Sequence, residues 1–127
     1  MKEEPAEPKH IMVVDDDDQV RILISHLLKR EGYHPINAAN GQDALEYLRR
    51  SPALPDLILL DLRMPVMDGW QFRTIQKADP RLAAIPVVVI TTLDTVENDV
   101  QSIQAAAYCR KPVDAAILVK TIRDHCG

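Results

Sequence analysis

The sequence predicts an α/β domain built on a five-stranded parallel sheet with helices on both faces, and three observations carry that prediction. Five short apolar runs alternate strictly with five segments of helical period, the pattern of repeated strand-helix units. The runs are rich in β-branched residues and lack polar interruptions, as strands buried on both faces do. The 127 residues suit one compact domain. Right-handed crossovers then leave few topologies.

Residues 1–9 are polar, carry Pro5 and Pro8, and read as a loose tail before a domain spanning 10–127. The first strand is Ile11 to Val14. Val20, Leu23, Ile24, Leu27 and Leu28 recur at steps of three and four, so they form the inner face of the first helix, which stops at Lys29, Arg30 and Gly32. Tyr33 to Ala38 form the second strand, and Asn40 caps a helix with Ala44, Leu45 and Leu48 inward, closed by Ser51-Pro52. Leu57 to Leu60 form the third strand, ended by Asp61, and a helix bearing Phe72 and Ile75 follows. Pro86 to Ile90 form the fourth strand. Asp94 with Glu97 resembles a capping box ahead of Val96, Val100 and Ile103. Tyr108 to Arg110 form the fifth strand, and Asp114 caps a last helix whose inner face is Ile117, Leu118, Thr121 and Ile122, with Val113 and Leu118 as a hydrophobic staple.

Composition narrows the function. Apolar residues make up 46%, enough for a packed core. A net charge of −4 makes nucleic acid a poor partner for the surface as a whole. No segment reaches the length of a membrane span, and the N-terminus lacks the basic start and apolar run of a signal peptide. Cys109 and Cys126 form no disulfide framework or metal-ligand spacing and read as reduced thiols of a cytoplasmic protein. The four histidines, His10, His26, His34 and His125, show no metalloprotease spacing and read as structural or solvated.

The residues that end the strands carry the chemistry. The first strand ends in Asp15 to Asp18, the third at Asp61, the fourth at Thr91-Thr92 and the fifth at Lys111. A parallel sheet brings all of these to one edge, where open α/β sheets hold their ligands. Asp17 and Asp18 open the first helix and suit its positive end. Asp15, Asp16 and Asp61 repel one another unless a cation neutralises them. Lys111 is one such cation. A divalent ion is the other: hard oxygen ligands with few fixed donors favour Mg²⁺, and would equally accept Mn²⁺.

Four segments, in order, resemble the receiver domain of bacterial two-component response regulators: V-V-D-D at Val13 to Asp16, L-L-D-L-R-M-P-V-M-D-G at Leu59 to Gly69, V-I-T-T at Val89 to Thr92, and Y-C-R-K-P at Tyr108 to Pro112. The match runs from His10 to Cys126. The resemblance implies a flavodoxin-like, doubly wound sheet in strand order 2-1-3-4-5. It implies a regulatory domain that assists only its own phosphorylation and dephosphorylation. It makes Asp61 the phosphoacceptor and Asp15 and Asp16 the acidic pair that orders Mg²⁺. Arg63 would contribute its backbone carbonyl to the metal, and Lys111 would pair with the phosphoryl oxygens. Thr91 and Tyr108 take the switch positions. The donor would be a sensor histidine kinase or phosphotransfer protein, and the output a protein docking on the face of the fourth helix, fifth strand and fifth helix.

The chain departs from that pattern at several positions. Thr92 stands where the family keeps Ala or Gly, which implies slow loss of the phosphoryl group, and Arg63 places a long cationic side chain near the site. Gln104 to Ala107 lack the glycine usual before the fifth strand, and Val113 replaces the usual Phe. Trp70, the single tryptophan, follows the D-G turn as a partly exposed packing residue. Other functions fit less well. An aspartyl phosphohydrolase needs a second carboxylate two residues after the nucleophile, where Asp61-Leu62-Arg63 has none. A flavodoxin-like cofactor binder needs a hydroxyl- and glycine-rich loop after the first strand, where four aspartates would repel an anion. A phosphorylation-independent interaction module on the same scaffold remains the main alternative.

Overall fold

The computed structural model describes residues 8–92 and 103–126. Strands β1 (His10–Val14), β2 (His34–Ala38), β3 (Leu57–Asp61), β4 (Val87–Thr91) and β5 (Ala107–Arg110) alternate with helices α1 (Asp18–Arg30), α2 (Gly41–Arg50) and α3 (Gly69–Ala78), and a C-terminal helix (Ala115–Cys126) closes the order. Among the described residues, the five strands form one sheet in the order β2-β1-β3-β4-β5, as the resemblance implies. Every neighbouring pair is parallel, with register partners such as Val14↔Leu60 and Leu60↔Val89. The expected helix behind Asp94, with its Glu97 box and Val96 and Val100, lies outside the described residues, as does the tail up to residue 7.

Alternation along the strands sorts the core into two layers. Met12, Val14, Ile58, Leu60, Val87 and Val89 face α2 and α3, meeting Leu45, Leu48 and Phe72. Ile11, Val13, Leu57, Leu59, Val88 and Ile90 face α1 and the C-terminal helix, meeting Ile24, Leu28, Leu118 and Ile122. All of Leu57 to Leu60 are inaccessible to solvent, which is why the third run reads as an unbroken apolar stretch. Each such side chain contributes about 1.5–3 kcal/mol on leaving water.

The caps fall where the sequence puts them. The Asp17 side chain accepts from the Gln19 and Val20 amides, and that of Asn40 accepts from the Asp43 amide. Gly32 takes φ +88° just past α1, a left-handed turn that glycine makes without cost. At the last helix, Asp114 Oδ1 accepts from the Ile117 amide.

Two helical faces differ from expectation. Leu23 is exposed, with Ile22 beside it, and the buried stripe of α1 is Ile24, Leu27 and Leu28. At 100° per residue Leu23 sits on the flank of that stripe, where the sheet no longer covers it. In the C-terminal helix Ile117 is exposed and Val119 is buried with Leu118 and Ile122. Periodicity fixes the spacing of a stripe but leaves its phase uncertain by a residue when apolar side chains flank both sides. The glycine missing before β5 also finds its explanation. Gln104 itself takes the left-handed conformation, φ +58°. Arg73 of α3 holds the turn by donating from Nε to the Ile103 carbonyl (2.9 Å) and from Nη2 to that of Gln104 (3.0 Å). Lys77 bonds the Gln104 side chain.

Candidate functional site

The carboxyl ends of β1, β3 and β4 and the residue after β5 converge, and the predicted residues arrive together. Asp15 follows β1 and is wholly buried; its amide donates to the Ala38 carbonyl (3.1 Å), so β2 holds it in place. Asp61 ends β3 at 6% exposure, and Thr91 ends β4 at 1%. The Lys111 amide donates to the Thr91 carbonyl (2.9 Å), which extends the β4–β5 ladder by one step and turns the lysine inward. Lys111 Nζ then lies 2.7 Å from Asp15 Oδ2 and 3.6 Å from Asp61 Oδ2. The first contact is an ion pair set off the hydrogen-bonding angle, and Asp15 Oδ2 has no other partner among the described residues.

Carboxylate oxygens of Asp15, Asp16 and Asp61 all lie within 4.8 Å of one another. Asp16 is exposed, and it lines a cavity with Leu62, Arg63, Met64, Pro65, Asp68 and Trp70. The site is therefore buried on the Lys111 side and open on the Asp16 side. Burial pushes the Asp61 carboxyl up from 3.8 to about 6; the neighbouring Asp15 and Asp16 charges add to this, while Lys111 and the Leu62 amide oppose it. That amide donates to Asp61 Oδ1 at 2.9 Å. Lys111 is held above its usual range: burial alone would lower it, but Asp15 and Asp61 outweigh burial. Three carboxylates facing one ammonium leave an excess of negative charge on hard oxygen donors. That donor set fits a divalent cation of the Mg²⁺ or Mn²⁺ type.

The loop after β3 is shaped for close approach. Gly69 opens α3 directly behind Asp61, and a Cβ there would stand 2.6 Å from the Asp61 carbonyl oxygen. Its amide donates to the Leu62 carbonyl (2.9 Å). Asp68 and Gln71 form a reciprocal capping box that anchors the far end of the loop. Just before Asp68, Val66 takes φ +71°, with the Met67 amide donating to the Pro65 carbonyl (2.7 Å), a three-residue turn that strains a β-branched residue.

Tyr108 pairs with Val89 and Arg110 with Thr91, so Tyr108 lies on the same sheet face as Thr91, one pleat period back, and is 47% exposed. Trp70 is half-buried against the α2–α3 layer, as expected. Sequence reasoning missed Arg21, whose guanidinium donates to the Asp15 carbonyl and bonds the Asp18 carboxylate. The spacing of Asp18 and Arg21, three apart on a helix, was the available signal. It also missed the box at Asp68, although D-x-x-Q is legible.

Known proteins resemble this chain over nearly its full length. The family model described as the response regulator receiver domain matches residues 11–123. The polar-differentiation response regulator DivK of Brucella anthropi is 32% identical over 94% of this chain and 98% of its own. Protein PilH of Pseudomonas aeruginosa is 33% identical over 88% and 93%. Larger relatives match through one part: the chain spans 26% of the transcriptional regulatory protein GlrR of Escherichia coli, at 36% identity. Among solved structures, the chemotaxis response regulator CheY4 of Vibrio cholerae superposes with a TM-score of 0.84 at 28% identity, covering 92% of this chain and 98% of that one. The response regulator TrrA of Thermotoga maritima, in complex with Mg²⁺-BeF, does so at 0.80 and 27%, covering 91% and 97%.

Proposed function

Because the chain belongs to the response regulator receiver domain family, and so to two-component phosphorelay signalling, we propose that Asp61 is its phosphoacceptor and that Asp15, Asp16 and Asp61 hold Mg²⁺ beside it. One observation carries the assignment. Of the carboxylates that end the strands, Asp61 is the one that ends β3, nearly buried, with Lys111 Nζ 3.6 Å from one oxygen and the Leu62 amide on the other. The backbone carbonyl of Arg63 joins the same metal site, and Mn²⁺ would serve in place of Mg²⁺.

Phosphoryl transfer asks for in-line positioning and charge neutralisation more than for a strong nucleophile. The Leu62 amide orients the Asp61 carboxylate, leaving the other oxygen to form the bond to phosphorus. The bond from phosphorus to the donor's imidazole nitrogen breaks, and its electron pair stays with the imidazole. Lys111 meets the negative charge of the phosphoryl oxygens. When bound, the divalent ion supplies further neutralisation of those oxygens. Thr91, at the neighbouring strand end, donates its hydroxyl to a phosphoryl oxygen, and Tyr108 answers on the same sheet face, which biases a two-state equilibrium.

The donor in this reading is a sensor histidine kinase or phosphotransfer protein. The output is a protein docking on the face formed by β5, the C-terminal helix and the segment expected to be helical behind Asp94, which lies outside the described residues, from a cytoplasmic domain spanning 10–127. Among the described residues no helix is long and apolar enough to cross a membrane. Incubation with Mg²⁺ and acetyl phosphate, followed by intact mass measurement, tests the assignment. The expected result is one phosphoryl adduct, lost in Asp61→Asn and without metal. A folded wild-type protein that binds Mg²⁺ but takes no adduct would favour the phosphorylation-independent module.

A further inference from the structure

We infer that Arg21 is a positioning residue for the metal site: its guanidinium clamps the acidic loop so that Asp15 and Asp16 keep their carboxylates beside Asp61. The inference rests on the Mg²⁺ reading above. Four consecutive aspartates, Asp15 to Asp18, crowd like charges onto adjacent residues, and their repulsion favours a splayed loop. Backbone and lysine contacts restrain only part of it. The Asp17 amide donates to Asp15 Oδ1 (2.9 Å), the Asp17 carboxylate caps α1, and Lys111 meets Asp15 Oδ2.

Arg21 connects what these leave apart. From the first turn of α1 it folds back over the loop, donating from Nη1 to the Asp15 carbonyl and from Nη2 to the Asp18 carboxylate. One rigid, planar group thus joins the first and last aspartates of the run. The Arg21 side chain is only 16% exposed, against 79% for Asp18, so the guanidinium is part of the wall rather than a solvated charge. Asp18 is drawn outward onto it. Asp16, the remaining member, makes no hydrogen bond or ion pair among the described residues and keeps its carboxylate within 4.8 Å of those of Asp15 and Asp61.

Charge and geometry predict opposite signs for removal of Arg21. If the residue acts only as a neighbouring positive charge, removing it strengthens Mg²⁺ binding. If it acts as a clamp, removing it weakens binding. Lysine keeps the charge and loses the fork.

The test titrates the full chain and its Arg21→Ala and Arg21→Lys variants with Mg²⁺, by calorimetry and by fluorescence of Trp70, which lines the same cavity as Asp16. Exchange of the Asp17 amide is followed in parallel without metal. The expected result is a Kd for Mg²⁺ raised about tenfold or more in Arg21→Ala, as for other groups that orient metal ligands, with little recovery in Arg21→Lys. Asp17 amide exchange quickens in both variants. Binding as tight as wild type, or tighter, in either folded variant overturns the clamp and leaves a simple counter-charge. Absence of Mg²⁺ binding by the wild type itself overturns the metal reading and the clamp together, and the wild-type curve alone reveals that case.

Discussion

Asp61 sits in a conflict between its charge and its burial. A carboxyl raised to about 6 is ionised at neutral pH only against burial and the adjacent Asp15 charge. Below the ordinary value of 3.8 both folded and unfolded chains are protonated. Between there and about 6 only the folded chain holds the proton, and above that both are ionised. The stability penalty of the raised group is therefore full above pH 6 and shrinks as the pH falls toward 4. Metal-free Asp61→Asn should exceed wild type at pH 7 by about 1–3 kcal/mol, and the gap should close on acidification. Denaturant melts of both proteins in a chelator check this. A gap that stays constant with pH would mean that the Asp61 proton is not what separates them.

Backbone geometry governs two places in the fold, one at the site and one at the opposite edge of the sheet, before β5. The start of α3 runs so close behind Asp61 that Gly69 has room for a hydrogen only, its Cβ position being 2.6 Å from the Asp61 carbonyl oxygen and 2.9 Å from Leu62 Cα. Both neighbours are backbone, so they cannot rotate away. Gly69→Ala should cost about 1–3 kcal/mol or more by overpacking and should also lower the yield of phosphoryl adduct, because strain relief displaces Asp61. Loss of stability with full adduct formation would show that the loop yields elsewhere. The turn before β5 offers the opposite case. Gln104 bears a left-handed φ of +58° without a glycine, held by Arg73. Gln104→Gly should stabilise by about 0.5–1 kcal/mol, since a side chain pays to adopt that region and the Lys77 contact it loses is at the surface. A thermal melt that falls instead would assign that contact a larger share than a surface bond usually carries.

At the scale of the whole molecule, the sheet gathers charges from distant parts of the chain, and their repulsion is a strain on folding that a bound cation would relieve. Mg²⁺ at a hundred times its Kd should stabilise the protein by about 2.7 kcal/mol by mass action. A melting temperature unmoved by millimolar Mg²⁺ in wild type, as in Asp16→Asn, would argue against a site there. Much of this was legible in the sequence. Alternating strand and helix patterns determined the parallel sheet, and the residues ending each strand, Asp15, Asp61, Thr91 and Lys111, determined which groups share its edge, because a parallel sheet puts all its carboxyl ends on one side. Caps at Asp17, Asn40 and Asp114 were likewise local and readable. Tertiary structure alone decided the rest. Which flank of α1 and of the C-terminal helix is covered depends on where the sheet beneath them ends, so Leu23 and Ile117 came out exposed. Arg73 reaching the Ile103 and Gln104 carbonyls, and Lys111 choosing Asp15 at 2.7 Å over Asp61 at 3.6 Å, are contacts across the fold that no spacing along the chain encodes.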